Sequence, residues 1–213
     1  MSERTLKLRE ELYGNVMDFM RVSFPGMIDR AYEFFWEEEE PEQFLSGLGL
    51  ELAFVNFEDW FVCDYGEPEG PVIDIYLEKS GDAEPEKYAP LKNSVISAFL
   101  VRKVTDTEME IEDLLQGEIH KISPVPFEGI KEGDFFASRV LVIEGEPVLG
   151  ACIYPFGEGM RDAVLSAING QHIRYKKNKN PGGTVRDFLK DESYSFNMIW
   201  MSGLYKKADG PGE

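Results

Sequence analysis

Residues 99–112 read FLVRKVTDTEMEIE, and within this stretch the spacing of apolar side chains changes from a helical period to an alternating one. Before it, apolar residues recur every three or four positions. After it, short alternating segments follow one another, and Gly-containing turns separate them. The change predicts a helical N-terminal part followed by a region of strands.

Residues 1–65 divide into three predicted helices, because Pro and Gly residues interrupt the apolar pattern, and a further helix through Leu91 and Val95 is predicted to lead into the strands. The first ends before Pro25-Gly26. The second carries an apolar stripe that includes Phe34 and Phe35. The third spans residues 50–65 and is the most aromatic of the three. Aromatic side chains at helical spacing usually lie in a core, so we expect this helix to be buried.

The strand region is expected to form one small sheet. Its longest strand is predicted at residues 135–143, and the chain then returns through 144–146 into a further strand at 148–154. Five short strands in about sixty residues need edges that are closed or covered. We therefore expect a five-stranded antiparallel β-barrel or rolled sheet, and the fold class is α+β.

The C-terminal part returns to helices. Thr184 and Asp187 have the spacing of a capping box, which predicts a helix start at this point. The last helix places four apolar side chains on one face, namely Phe196, Ile199, Trp200 and Leu204. That face is expected to dock on the core, although a helix that recognises a partner would have the same pattern.

Three parts follow from these patterns: helices in residues 1–97, the barrel-like part in 98–156 and the C-terminal helices in 157–213. No long flexible linker separates them, so we expect one compact unit. No oligomeric state is predicted.

The composition excludes several protein classes. The chain has 213 residues and a net charge of −18, and no uncharged run is long enough to span a bilayer. We expect no signal peptide and no membrane partner. Only two cysteines occur, which is typical of a reducing compartment and predicts a cytoplasmic location.

The charge is unevenly distributed, because residues 1–100 carry 22 acidic and 8 basic side chains while residues 171–190 carry six basic side chains and one acidic side chain. Two interpretations of the basic stretch remain open. It is a nucleic-acid site, or it is a solvated face that pairs with the protein's own acidic half. The candidate binding residues in this stretch are His172, Arg174, Lys176, Lys177 and Lys179.

Catalytic patterns are weak. No nucleophile motif or zinc-ligand spacing occurs, so we predict no catalytic residue, no metal ligand and no cofactor. The one arrangement with chemical potential is a set of carboxylates near the aromatic helix, Asp59, Asp64 and Asp74. If their side chains converged in a pocket, they would form an acid pair or a magnesium site.

Three sequence segments carry a resemblance: FEDWFVCDY at 57–65, PVIDIYL at 71–77 and DLLQGE at 113–118. Together with a later G-D-x-x-x-x-R-V pattern, they resemble a group of uncharacterised bacterial proteins. The residues that match this last pattern are Gly133, Asp134, Arg139 and Val140. Some relatives in that group end in a zinc-binding SEC-C motif, whose cysteines are absent here. The resemblance covers about half of the chain and implies no activity.

The same residues have a structural interpretation. Trp60, Phe61 and Tyr65 are suited to packing the third helix, and Asp113 and Gly117 are suited to a turn.

The leading functional hypothesis is a non-enzymatic protein-binding or scaffold module, with Trp200 of the last helix as a candidate contact. Two alternatives are nucleic-acid binding through residues 171–190 and metal-assisted hydrolysis by the carboxylates.

Overall fold

A computed structural model describes residues 3–37, 39–43, 45–123, 129–157 and 159–208. The helices are α1 (Glu3–Ser23), α2 (Pro25–Phe35), α3 (Leu48–Cys63), α4 (Val72–Lys79), α5 (Ala89–Asn93), α6 (Arg161–Asn178), α7 (Val185–Asp191) and α8 (Ser195–Ala208). Two short 3-10 helices are η1 (Pro41–Gln43) and η2 (Pro85–Tyr88). The strands are β1 (Gly66–Glu67), β2 (Gly70–Pro71), β3 (Ile96–Val104), β4 (Met109–Asp113), β5 (Ile119–Ile122), β6 (Phe135–Ile143), β7 (Glu146–Leu149) and β8 (Tyr154–Pro155).

The main sheet is antiparallel, with strand order β5-β4-β3-β6-β7, and β8 pairs with one end of β6. Its two end strands, β5 and β7, approach each other, so the sheet curls into a nearly closed barrel. A register irregularity between Val101 and Lys103 on β3 is the kind of feature that bends a strand. The predicted α+β class and barrel-like sheet are confirmed.

The two faces of the sheet bury different cores, because successive side chains of a strand point in opposite directions. On β6, Phe135, Ala137 and Leu141 face the helices and join the main core. Phe136 and Val140 face the other way and join a small core inside the curled sheet. The main core contains residues from all three predicted parts of the chain.

The longest predicted strand, residues 135–143, has the same bounds as β6. The predicted strand 148–154 is instead divided between β7 and β8. The side chain of Asn56, which lies in α3, explains the interruption. Its Nδ2 donates to the Ile153 carbonyl at 2.9 Å, and its Oδ1 accepts from the Ile153 amide at 2.7 Å. This pair replaces strand pairing at Ile153.

Two predicted local motifs are confirmed. Thr184 and Asp187 form a complete capping box at the start of α7. At the β4–β5 turn, one carboxylate oxygen of Asp113 accepts from the amides of Leu115 and Gln116, each at 2.9 Å, and Gly117 has a φ of +77°. That φ is strained for other residues, which explains the glycine. Within the part of the chain that the structure describes, no helix is both long enough and apolar enough to cross a membrane.

Candidate functional site

A buried guanidinium lies at the junction of the helices and the sheet. Arg139 sits in the middle of β6, on the face that packs against the helices, and only 1% of its surface is exposed. Its Nε donates to Oδ2 of Asp59 at 2.7 Å, and its Nη2 donates to Oδ2 of Asp64 at 2.7 Å. Its Nη1 donates to the hydroxyl of Ser94 at 3.2 Å. All three nitrogens of the guanidinium therefore have an acceptor.

The second oxygens of the two carboxylates are also occupied. The Tyr13 hydroxyl, from α1, donates to Oδ1 of Asp59 at 2.5 Å. The ammonium of Lys190, from α7, donates to Oδ1 of Asp64 at 2.8 Å and to the Cys63 carbonyl at 2.8 Å. We refer to Tyr13, Asp59, Asp64, Arg139 and Lys190 as the arginine cluster. It joins α1, α3, α7 and β6.

Two local features of the sequence allow this cluster to form. Asp59 lies within α3, and Asp64 is the residue at which that helix ends, so one short segment presents both carboxylates. Gly150 follows β7, and a Cβ at this position would lie 2.3 Å from Cγ of Arg139. Only glycine allows the backbone to approach the arginine side chain this closely.

The electrostatics favour the ionised forms of Asp64 and Arg139 in this cluster. Burial would raise the pKa of Asp64, but Arg139 and Lys190 outweigh it and hold that pKa below its ordinary value. Burial would lower the pKa of Arg139, but Asp59 and Asp64 outweigh it and raise that pKa well above its ordinary value. The aspartate and the arginine therefore stay ionised at neutral pH.

The nearby nucleophiles are held in their protonated forms. Burial, with a further contribution from Asp59, raises the pKa of the Cys63 thiol to about 12 and the pKa of the Cys152 thiol well above its ordinary value. The same causes raise the pKa of Tyr13. Neither thiol is a reactive thiolate at neutral pH.

The three carboxylates singled out in the sequence do not form one site. Asp59 and Asp64 converge on Arg139, whereas Asp74 is half-buried on α4 and accepts from Lys92 at 2.5 Å. Among the described residues, no group of three or more His, Cys, Asp or Glu side chains is arranged to hold a metal ion.

One feature of the sequence does indicate the arginine cluster, namely a charged residue at a core-facing position of a predicted strand. Arg139 stands at a core-facing position of a strand whose neighbouring core-facing positions are apolar, and a charge there requires a buried partner. Two of the patterns quoted above also contain members of the cluster, since Asp59 and Asp64 lie in the segment 57–65 and Arg139 is the arginine of the G-D-x-x-x-x-R-V pattern.

The basic stretch is partly used inside the molecule. Lys190 contacts Asp64, Lys179 contacts Glu192 at 2.9 Å, and Arg186 donates to the carbonyl of Asn93. His172 packs against the ring of Phe188 at a centroid distance of 5.2 Å. Pairing with acidic groups of the same chain therefore accounts for Lys179 and Lys190.

The remaining candidates of this stretch, Arg174, Lys176 and Lys177, are exposed on α6, and no ion pair holds them within the described part of the chain. Beside them, Ile173 is also exposed. Of the six basic side chains in residues 171–190, the structure thus leaves these three without a bonded partner among the described residues.

Trp200 lies apart from this basic surface. Its side chain is 4% exposed and makes an edge contact with the Tyr154 ring at 5.5 Å, and Phe196 is buried beside it. This face of α8 docks on the main core. The side chain of Leu204 lies outside the described residues.

The surface side of α8 forms part of an exposed apolar area. Phe34 of α2 is 55% exposed, and its ring stacks on the buried Trp60 at 5.8 Å with an interplanar angle of 10°. Tyr194 packs against Phe34 at 5.0 Å. Met198, one helical turn after Tyr194, is 45% exposed. We refer to Phe34, Tyr194 and Met198 as the aromatic patch.

A groove of about 1100 Å³ lies elsewhere, between α1, α5 and the sheet. Its wall includes the apolar Phe99 and Val140 and the imidazole of His120. Basic side chains such as Lys7 and acidic ones such as Glu118 share its rim. Because the charges are mixed, the groove favours neither anions nor cations.

Comparison of the chain with protein-family models, with curated proteins and with solved structures finds no significant match. The function is therefore inferred from the geometry alone.

The arginine cluster generates a stability prediction. Replacing Arg139 with Met should lower the free energy of unfolding by about 3–5 kcal/mol at pH 7, because it leaves buried carboxylates without their main cation. Urea denaturation followed by tryptophan fluorescence measures this. The matched control is Arg102→Met, which removes an exposed arginine that pairs with Glu112, and it should cost less than about 1 kcal/mol.

The same variant has a defined pH dependence. In the wild type the depressed pKa of Asp64 contributes stability that is present above the ordinary carboxyl pKa and lost as pH falls through the folded pKa. In Arg139→Met, burial should raise the pKa of Asp64, so that folding of the variant takes up a proton. Its free energy of unfolding should therefore rise as pH falls. The difference in stability should therefore narrow as pH falls from 7 toward 4. A constant difference would contradict this interpretation.

Proposed function

We propose that the chain is a non-enzymatic protein-binding module and that the aromatic patch is its binding surface. The observation that supports this most is Phe34, a large apolar side chain that is more than half exposed although it lies against a buried tryptophan. Exposed aromatic and methionine side chains are enriched at protein interfaces. A patch of this composition on a highly charged surface marks an interaction site.

The two aromatic side chains of the patch are held in place by packing, which favours binding. Phe34 is fixed between Trp60 and Tyr194, and the hydroxyl of Tyr194 lies 3.4 Å from the Phe35 carbonyl. Side chains that are already ordered lose little conformational entropy when a partner covers them. Trp200 contributes indirectly, because it anchors α8 and so places Met198 at the surface.

The non-enzymatic part of the proposal is supported by the arginine cluster. Three groups with strongly shifted pKa values, Arg139, Cys63 and Cys152, are buried in or beside this cluster. Arg139 bonds to Asp59, and Cys63 bonds to the Tyr13 hydroxyl. Their shifts are explained by packing. Both cysteines are free, which fits the reducing cytoplasm that we propose as the location.

Site-specific photocrosslinking tests the binding surface. We expect a benzophenone amino acid in place of Phe34 to crosslink one discrete partner protein in the cells that make this chain. The control position is Ile119 on β5, which is 62% exposed and lies on the sheet rather than on α2 or α8. The same partner should be lost from the position-34 probe when Met198→Asp is added. Equal crosslinking from both positions, or none from position 34, would rule the surface out.

Nucleic-acid binding is a second candidate, supported by the three free cations Arg174, Lys176 and Lys177 on α6. Anisotropy of a labelled single-stranded RNA should show binding that weakens with salt, with a log–log slope of about 2 for three phosphate contacts. Lys176→Glu with Lys177→Glu should abolish the signal. The control, Lys103→Glu with Lys131→Glu, changes exposed lysines elsewhere and should not. Absence of any signal at low salt would eliminate this candidate.

A further inference from the structure

We propose that the partner segment covering the aromatic patch is basic and amphipathic, with an apolar anchor flanked by lysine or arginine. This inference rests on the proposed function and adds the chemistry of the partner. It follows from the apolar side chains of the patch and from the charges that surround it.

The apolar requirement comes from the two exposed side chains. Phe34 is on α2 and Met198 is on α8, and Tyr194 lies against Phe34 and one turn before Met198. An apolar segment of a partner that lies over Tyr194 would cover Phe34 on one side and extend along α8 toward Met198 on the other. The thioether of methionine adapts to anchors of different shape.

The charge requirement comes from α2. Glu33 precedes Phe34, and Glu37 follows α2 directly, so two carboxylates flank the exposed ring. Both are exposed, and neither has an ion-pair partner among the residues that the structure describes. The field of Glu37 reaches the patch: burial raises the pKa of Tyr194 to about 12, and Glu37 adds to this rise. A cation of the partner would relieve this charge.

The one nearby cation on α2 does not offset these acids. Arg30 lies one turn before Phe34, but its Nε and Nη2 donate to the two carboxylate oxygens of Glu67, at 2.8 and 2.7 Å, so its charge is paired. The charges of Glu33 and Glu37 beside Phe34 are therefore not offset by Arg30. Residues 1–100 carry 22 acidic and 8 basic side chains, and this long-range field should also accelerate the approach of a basic partner.

A second copy of the chain would supply a comparable segment, since Ile173, Lys176 and Lys177 share one exposed face of α6. Two copies, however, each carry a net charge of −18 and repel each other. Charge complementarity therefore favours a different, basic protein.

Three labelled helical peptides of equal length test the partner chemistry against the full chain: leucine–lysine, leucine–glutamate and serine–lysine. We expect the leucine–lysine peptide to bind at least about tenfold more tightly than the others, and Phe34→Ser to weaken it by about tenfold. Glu33→Gln with Glu37→Gln should weaken it several-fold and flatten its salt dependence.

Matched controls separate docking from adsorption onto an acidic surface. Ile119→Ser removes an apolar side chain of similar exposure, and Glu84→Gln with Glu132→Gln removes two exposed charges elsewhere. Neither should change binding. If all variants bind alike, the peptide only adsorbs, and the inference is wrong.

Two further outcomes would also overturn the inference, and each bears differently on the proposed function. If the leucine–glutamate peptide binds equally well and depends on Phe34, the patch binds proteins but does not select basic ones. If sedimentation velocity shows self-association that Phe34→Ser abolishes, the occupant is a second copy rather than a basic partner.

Discussion

The buried guanidinium of Arg139 is the interaction on which the rest of the structure depends. It takes a full positive charge into the core between the sheet and the helices, where desolvation would be prohibitive without compensation. Asp59 and Asp64 provide that compensation in one geometry only, because each accepts from a different nitrogen. An apolar core at this junction would tolerate sliding of α3 over the sheet. A hydrogen-bonded charge does not, and so it selects one arrangement.

The arginine cluster is connected to the aromatic patch at the surface through residues that neighbour Asp59 and Lys190 in the chain. Trp60 follows Asp59 on α3, and Phe34 stacks on it. Lys190, which contacts Asp64, lies in α7 just before Tyr194 and the start of α8. Both helices of the aromatic patch are therefore close in the chain or in space to residues of the arginine cluster: α2 packs on Trp60, which is next to Asp59, and α8 follows Lys190, which bonds to Asp64. The arginine cluster in the core and the proposed binding surface are thus connected by direct packing and by neighbouring residues of the chain.

Sequence reasoning predicted the features that depend on neighbouring residues. The bounds of β6, the capping box at Thr184 and the Asp113 turn each follow from local patterns, and the structure confirms them. The arginine cluster could not be predicted in the same way, because Arg139 and Asp59 are 80 residues apart and only folding brings them together. Asp59 and Asp64 were singled out in the sequence together with Asp74, which lies elsewhere, and their partner Arg139 was not predicted.

The aromatic patch could not be predicted either, because its main residue follows a pattern that indicates burial. Phe34 belongs to an apolar stripe, and helical periodicity assigns such a residue to the core. Whether a residue at the edge of such a stripe is covered depends on which other element packs over it. Here Tyr194 contacts the Phe34 ring but leaves 55% of Phe34 exposed. The basic stretch shows the same limit. Its six cations look alike in sequence, yet Lys190 is part of the arginine cluster while Lys176 and Lys177 are free.

A double-mutant cycle tests most directly whether Arg139 and Asp64 act as one unit. The free energies of unfolding of the wild type, Arg139→Met, Asp64→Asn and the double variant would be measured by urea denaturation at pH 7. We predict a coupling energy of at least about 1.5 kcal/mol, with the double variant more stable than the sum of the two single losses implies. Additive losses, with a coupling below about 0.5 kcal/mol, would contradict the claim that this buried pair organises the fold.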